Sequence, residues 1–332
     1  MTLTRRTAIR RGLLRSTAAT LAAAALPGPS RAQQDWPSRP IRFVTGDAAG
    51  GPLDTRLREL LTPVAARLGA QTIVDNKPGA ASQISHQFIV TQPADGYTVL
   101  LANATMAIFP TLYRKLPYSP LRDFTPVAFG GLSPIGLAIP ASHPARTYAE
   151  WTAWARTQKG KLNYGSVGNG AVGHLYGFQL GEELGLEATH VPYKTVAQFL
   201  PDLGAGIVHF AMLDLLSLRA FMQKGDLRVL AITGDERAPF VADIPTFAEL
   251  GLRGYDRMGW SAYYVRAGTP QPIVERLSAA INEVNATPEW TARRLGLWSL
   301  WKPLTPDALR QRIVADTEAW GALIRKTGVY AD

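Results

Sequence analysis

The sequence predicts an α/β protein of two lobes with largely parallel sheets, and three observations carry that expectation. Short runs rich in branched and aromatic residues alternate with helix-period segments over most of the length, as in proteins whose strands connect through helices. At 332 residues with 46% hydrophobic content, the chain is long enough to exceed one core and split in two. Two Pro-rich passages, Pro134 to Pro144 and Asp243 to Pro245, are the places where it would cross between lobes. Two crossings make the first lobe discontinuous, with residues 33–134 and 247–332 in lobe 1 and residues 135–246 in lobe 2.

Ile41-Arg42-Phe43-Val44 reads as the first strand. After a Gly-containing turn, Leu57, Leu60, Leu61, Val64, Ala65 and Leu68 fall on one face of a helix that begins near Asp54, a residue suited to the N-cap or the first turn. Further strands read at Thr72 to Val74, Tyr97 to Ala102, Gly136 to Ile139, Leu162 to Gly165, His209 to Leu213 and Leu227 to Thr233. Tyr148 to Gln158 and Leu175 to Leu184 read as helices between them, and no internal repeat or low-complexity linker is evident.

The N-terminus carries a different signal. Met1 to Ala32 holds Arg5, Arg6, Arg10, Arg11, Arg15 and Arg31 with no acid, around a short apolar run from Ala18 to Leu26. That is the pattern of a signal peptide, with cleavage expected before Gln33 after the small residues Ser30 and Ala32. Arg10-Arg11-Gly12-Leu13-Leu14 has the twin-arginine shape, so export in a folded state and ordinary Sec export both fit. Six of the 35 basic residues and none of the 26 acidic ones lie in this leader, which leaves the mature chain an excess of only three positive charges. The basic total is therefore largely a targeting signal and argues against nucleic-acid binding. With no cysteine there is no lipid-modified anchor, disulfide or thiolate metal site.

Two strand-to-helix turns are rich in small residues. The first runs from Gly46 through Asp47, Ala48, Ala49, Gly50, Gly51, Pro52 and Leu53 to Asp54; the second runs Ser166-Val167-Gly168-Asn169-Gly170-Ala171-Val172-Gly173-His174. Such turns let backbone amides meet an anion at a helix N-terminus, although a tight turn that needs glycine for positive φ has the same composition. Lying in different lobes, the two could hold a ligand between them. The second contains Gly168-x-Gly170-x-x-Gly173, a dinucleotide fingerprint, but Thr189 to Lys194 offers no acid at the following strand end to hold a ribose. Ser166 fails the nucleophile-elbow pattern because Tyr164 stands where glycine is required. The five histidines show no metal-ligand spacing, so no metal, cofactor or catalytic set is expected. Asp214, Asn103 and Thr105 follow strand ends, where they could floor a cleft or serve ordinary caps and turns. The tryptophans read as core, except Trp260, a candidate cleft wall.

In this order along the chain, further motifs carry a resemblance: Trp36 to Arg42; Ala49-Gly50-Gly51-Pro52 with Asp54; Val74-Asp75-Asn76-Lys77-Pro78-Gly79-Ala80; Pro93-Ala94-Asp95-Gly96-Tyr97-Thr98; Leu112-Tyr113 to Leu116-Pro117-Tyr118; and Asp123 to Val127. They continue with Lys161 to Ser166, His190-Val191-Pro192-Tyr193-Lys194, Asp243 to Thr246 and Ala267 to Pro270. The chain resembles the substrate-binding proteins of tripartite tricarboxylate transporters, the Bug receptor family. That resemblance implies a type II periplasmic-binding-protein fold closing on a small carboxylate, with the two turns supplying most polar contacts. It further implies a free monomer in the periplasm, a membrane permease of one large and one small subunit as partner, and no catalysis; a sensor of the same fold is the alternative. Four positions depart from the family pattern: Asp47 where an aromatic is usual, Leu53 and Ala171 where hydroxyl residues are usual, and Thr195 for a glycine. If Asp47 faces the cleft, the ligand should be less anionic than citrate, such as a monocarboxylate or an amino-bearing acid; if it faces solvent, backbone amides could hold an ordinary dicarboxylate.

Overall fold

The computed structural model describes residues 36–331. The leader read at Met1 to Ala32, with its cleavage point, lies outside the described residues. Everything from Arg39 onward forms one unit that contains two five-stranded sheets.

The first sheet has the order β2 (Thr72–Asn76), β1 (Ile41–Thr45), β3 (Thr98–Asn103), β10 (Gly259–Arg266) and β4 (Phe124–Ser133). β1 pairs in parallel with β2 and β3, whereas β10 runs antiparallel between β3 and β4. β1 buries Ile41, Phe43, Val44 and Thr45, as expected for an inner strand covered on both faces. β4 tolerates Pro126 because it lies at the sheet edge, where a missing N–H costs no ladder bond. Helices α1 (Pro52–Leu68), α2 (Gln83–Val90) and α3 (Thr105–Leu112) follow β1, β2 and β3.

The second sheet has the order β7 (Thr189–Pro192), β6 (Asn163–Ser166), β8 (Phe210–Asp214), β5 (Ile135–Pro140) and β9 (Leu227–Ile232), with β5 the antiparallel strand. Its helices are α4 (Tyr148–Thr157), α5 (Val172–Leu184), α6 (Val196–Gly204) and α7 (Leu215–Lys224). α4 starts at a capping box in which Thr147 and Glu150 satisfy each other's backbone N–H. The C-terminal helices are α8 (Gln271–Ala286), α9 (Pro288–Gly296) and α10 (Pro306–Thr327). Among the described residues no helix is long and apolar enough to cross a membrane.

The two strand orders repeat one pattern. In each sheet the fourth position is filled by the strand that arrives from the other sheet, β10 in the first and β5 in the second. This repeat leaves no trace in residue identities, which is why the sequence reads as unrepeated. The first crossing is immediate: β4 ends at Ser133, β5 begins at Ile135, and Pro134 between them accepts the Leu215 amide at 2.9 Å. The second differs from the boundary expected at residues 246 and 247. Ile232 exchanges backbone hydrogen bonds with Pro245 and Phe247 at 3.0 and 2.9 Å, and Gly234 donates to Tyr255 O at 3.0 Å. The chain therefore stays with the second sheet past residue 255 and re-enters the first at Gly259.

A continuous cluster of buried side chains includes Phe109, Phe124 and Tyr264 beside the first sheet and Trp151, Tyr164 and Phe210 beside the second. α10 joins it through Trp320, whose ring meets Tyr176 of α5 edge-on with centroids 5.0 Å apart. The carboxyl ends of β1, β3, β6 and β8 are where open α/β sheets place ligand contacts.

Candidate functional site

At the end of β1 the chain turns through Gly46 to Gly51 before α1 begins at Pro52, with Gly51 as an extended N-cap that has no side chain to offer. Asp47 fills that role from inside the turn. Its Oδ2 accepts the amides of Leu53 at 2.9 Å and Asp54 at 3.3 Å. A Cβ at Gly51 would lie 2.5 Å from the same oxygen, so a larger residue there would push the Asp47 carboxylate aside. Asp54 is a first-turn acid and not the cap: its carboxylate accepts the Gly50 amide at 2.8 Å, Asn76 Nδ2 at 2.8 Å and Arg58 Nε at 2.9 Å. Burial works against its charge, but the hydrogen bonds of Arg58, Asn76 and Gly50 hold Asp54 below the usual carboxylate range. Burial dominates at Asp47, raising its pKa against the backbone hydrogen bonds of Asp54, Leu53 and Ala48, and the charge of Asp214 adds to the rise.

The second turn is built differently. Ser166 Oγ donates to Gly168 O at 2.9 Å and lies 2.7 Å from His190 Nε2. Since the one hydroxyl proton goes to Gly168, His190 must donate to Ser166, the reverse of what a serine nucleophile requires of its base. His190 stacks on His174 with ring centroids 3.9 Å apart, and His174 Nδ1 accepts the Gly170 amide at 3.0 Å. Burial lowers both imidazoles, to about 3 for His190 and about 4 for His174. α5 then opens at Val172 from an extended Ala171 that provides no side-chain cap, and among the described residues the Val172 and Gly173 amides have no acceptor.

Between these turns lies a cavity of about 510 Å³. Of the residues expected at the site, Asp47, Ala48, Ala49, Gly50, Gly51, Leu53, Asn103, Thr105, Ala171 and Asp214 line it. Ser166, Gly168, Asn169 and Gly170 do not. Ser166 is buried in the histidine network, Asn169 is exposed, and a Cβ at Gly170 would strike Leu112 of α3 at 2.3 Å. Two glycines of the dinucleotide-like fingerprint thus serve packing, Gly170 against α3 and Gly173 against Met212 O of β8, while Gly168 meets nothing within 4 Å and holds a φ of +118°. Asn103 Oδ1 accepts both the amide and the hydroxyl of Thr105, at 3.1 and 2.6 Å. Asp214 lines the cavity and caps α7 as well, accepting Ser217 N and Oγ at 2.9 Å each. Trp260 also lines the cavity, but its Nε1 is committed to Asp316 Oδ2 at 2.7 Å, leaving the ligand its ring alone.

Arg56 lines the cavity too, and the sequence reading did not select it. It is 5% exposed; Nη1 donates to Ser299 Oγ at 3.1 Å, Nη2 donates to Ser261 Oγ, and among the described residues no carboxylate lies in ion-pair reach. Burial lowers its pKa, while Tyr263 and Asp214 act in the opposite sense. Its spacing held a signal: four residues before Leu60 and eight before Val64, it falls on the buried face of α1.

The profile described as the tripartite tricarboxylate transporter family receptor matches residues 57–329. The chain belongs to that family. It is 31% identical over 315 residues to the UPF0065 protein from the tcbD-tcbE intergenic region of Pseudomonas sp. (strain P51), with 93% of each covered. Among solved structures, an R. palustris protein with adipate matches with a TM-score of 0.84 at 29% identity, over 89% of this chain and 99% of that one. MatC from Rhodopseudomonas palustris with bound malate matches with a TM-score of 0.78 at 27% identity, over 87% of this chain and 100% of that one. The fold is that of the periplasmic binding proteins, and the family is one of solute-binding receptors, not of enzymes.

Proposed function

We propose that this chain is a periplasmic receptor that captures a small carboxylate between its two sheets and delivers it to a membrane permease of one large and one small subunit. The observation that carries the reading is the cavity of about 510 Å³ walled by both strand-to-helix turns. Its volume falls within the ~300–1,000 Å³ of small-molecule sites, and the Val172 and Gly173 amides at the open end of α5 suit a carboxylate. Adipate and malate, held by two related proteins, are both small carboxylates.

A thermal-shift series with mono-, di- and tricarboxylates tests the capture step. A ligand at about 100 times its Kd adds roughly 2.7 kcal/mol, which a melting curve resolves readily. Stabilisation by at least one carboxylate is expected, and no response across the series would overturn the reading. For delivery, deleting the gene should abolish uptake of that ligand while the permease is present. Unchanged uptake would instead favour the sensor role.

A further inference from the structure

Three carboxylates gather around the first turn, and their surroundings differ. Asp54 is paired with Arg58 at 2.9 Å. Asp214 has both oxygens on Ser217 and feels the charge of the buried Arg56. Asp47 has neither kind of support. It is held by backbone hydrogen bonds alone, those of Leu53 and Asp54 on Oδ2 and that of Ala48, and among the described residues no basic side chain lies in ion-pair reach. It is half-buried in the cavity wall.

That placement also changes what the two helix N-termini can offer. The α1 amides that would receive a ligand's anion already hold Asp47, so this end of the cavity presents negative charge. The α5 end, uncapped, presents positive partial charge. A cavity polarised this way complements a molecule with an anionic group at one end and a cationic group at the other. The lining also carries Lys194 and the Arg56 guanidinium, the latter held by Ser261 and Ser299, but a dicarboxylate seated on the α5 amides would bring its second charge against Asp47.

Resting on the receptor reading above, we infer that the ligand class is an amino-bearing carboxylate, bound with its carboxylate on the Val172 and Gly173 amides and its cationic nitrogen on Asp47.

The test is calorimetry on the purified protein with matched pairs, each a dicarboxylate and the ω-amino acid of equal chain length, together with α-amino acids of similar size. The amino-bearing member of a pair should bind at least tenfold more tightly. In Asp47→Asn, whose side-chain oxygen can still accept the α1 amides, that preference should fall at least tenfold. Two outcomes overturn the inference while leaving the receptor reading intact: dicarboxylates binding the wild-type protein as well as or better than their partners, or Asp47→Asn keeping the wild-type preference. No binding in either series would overturn the receptor reading itself. The wild-type comparison needs no variant, so it decides the matter even if Asp47→Asn folds poorly.

Discussion

Gly173→Ala perturbs the join between α5 and β8, and its consequences follow from one distance. A Cβ on Gly173 would sit 2.2 Å from Met212 O, whereas ordinary contact begins near 3.4 Å. The opposing atom is a backbone carbonyl of β8, the middle strand of the second sheet, so the strand cannot yield and α5 must lift by more than an ångström. Overpacking of a tight join costs about 1–3 kcal/mol, and with backbone opposing backbone we place this case at about 3 kcal/mol. At roughly 2 °C per kcal/mol for a chain of this size, the melting temperature should fall by about 6 °C. The same lift moves the Val172 and Gly173 amides out of the cavity wall, so carboxylate affinity should drop at least tenfold. Gly296→Ala is the control, because a Cβ there meets nothing within 4 Å. It should leave affinity unchanged and melting equal or slightly higher, since alanine suits a helix better by up to about 1 kcal/mol. Circular dichroism melts with calorimetry on the three proteins give the answer. A Gly173→Ala protein that melts within 1 °C of wild type and binds normally would refute the claim that this glycine fixes the anion-binding end of α5.

Burial holds His86 neutral, with its pKa lowered to about 3. In the unfolded chain it titrates near 6.5, so stability present above that value is lost as pH falls from 6.5 towards 3. The loss should be about 2 kcal/mol at pH 5, and melting curves at pH 7.5 and 5.0 should show a smaller acid-induced drop for His86→Phe than for wild type. Ala171→Asp should cap α5 and gain about 1 kcal/mol, yet weaken carboxylate binding at least tenfold by covering the amides, readable as a higher melting temperature with lower affinity. Trp260→Phe removes the hydrogen bond to Asp316, which remains flanked by Arg257 at 3.3 Å and Arg312 at 3.6 Å. A loss of about 1–3 kcal/mol in denaturant unfolding is expected, with ligand affinity changed less than threefold because the ring is retained.

Strands dense in branched and aromatic residues were legible in the sequence, as at Ile41 to Val44 and Leu227 to Thr233. β4 was not, because Pro126, Gly130 and Gly131 break its pattern, and only its place at the sheet edge makes them tolerable. β10 was missed because its neighbours lie far away along the chain and nothing local announces them. The second crossing was drawn too early for a related reason: the prolines near Asp243 mark a turn against β9 and not an exit from the lobe. At the site, composition singled out both turns but could not say which faces were turned inward. Ser166 and Gly170 are spent on His190 and Leu112, partners set by the tertiary fold. Asp47 was recognised as decisive, yet its bonds to the Leu53 and Asp54 amides could not be read from a list of residues. Arg56 was passed over because a charge beside an apolar stripe ordinarily faces water.

The exchange of strands between sheets fixes an order of assembly during synthesis. The five strands of the second sheet lie within residues 135–232, so that sheet has all its parts once residue 232 has been made. The first sheet begins earlier but cannot join β3 to β4 until β10, ending at Arg266, has emerged. Until then β3 keeps a bare hydrogen-bonding edge beside Leu100 and Leu101, open to mispairing. The half of the molecule translated first is thus the last to be finished, and a chaperone acting on the nascent chain should protect β3 above all.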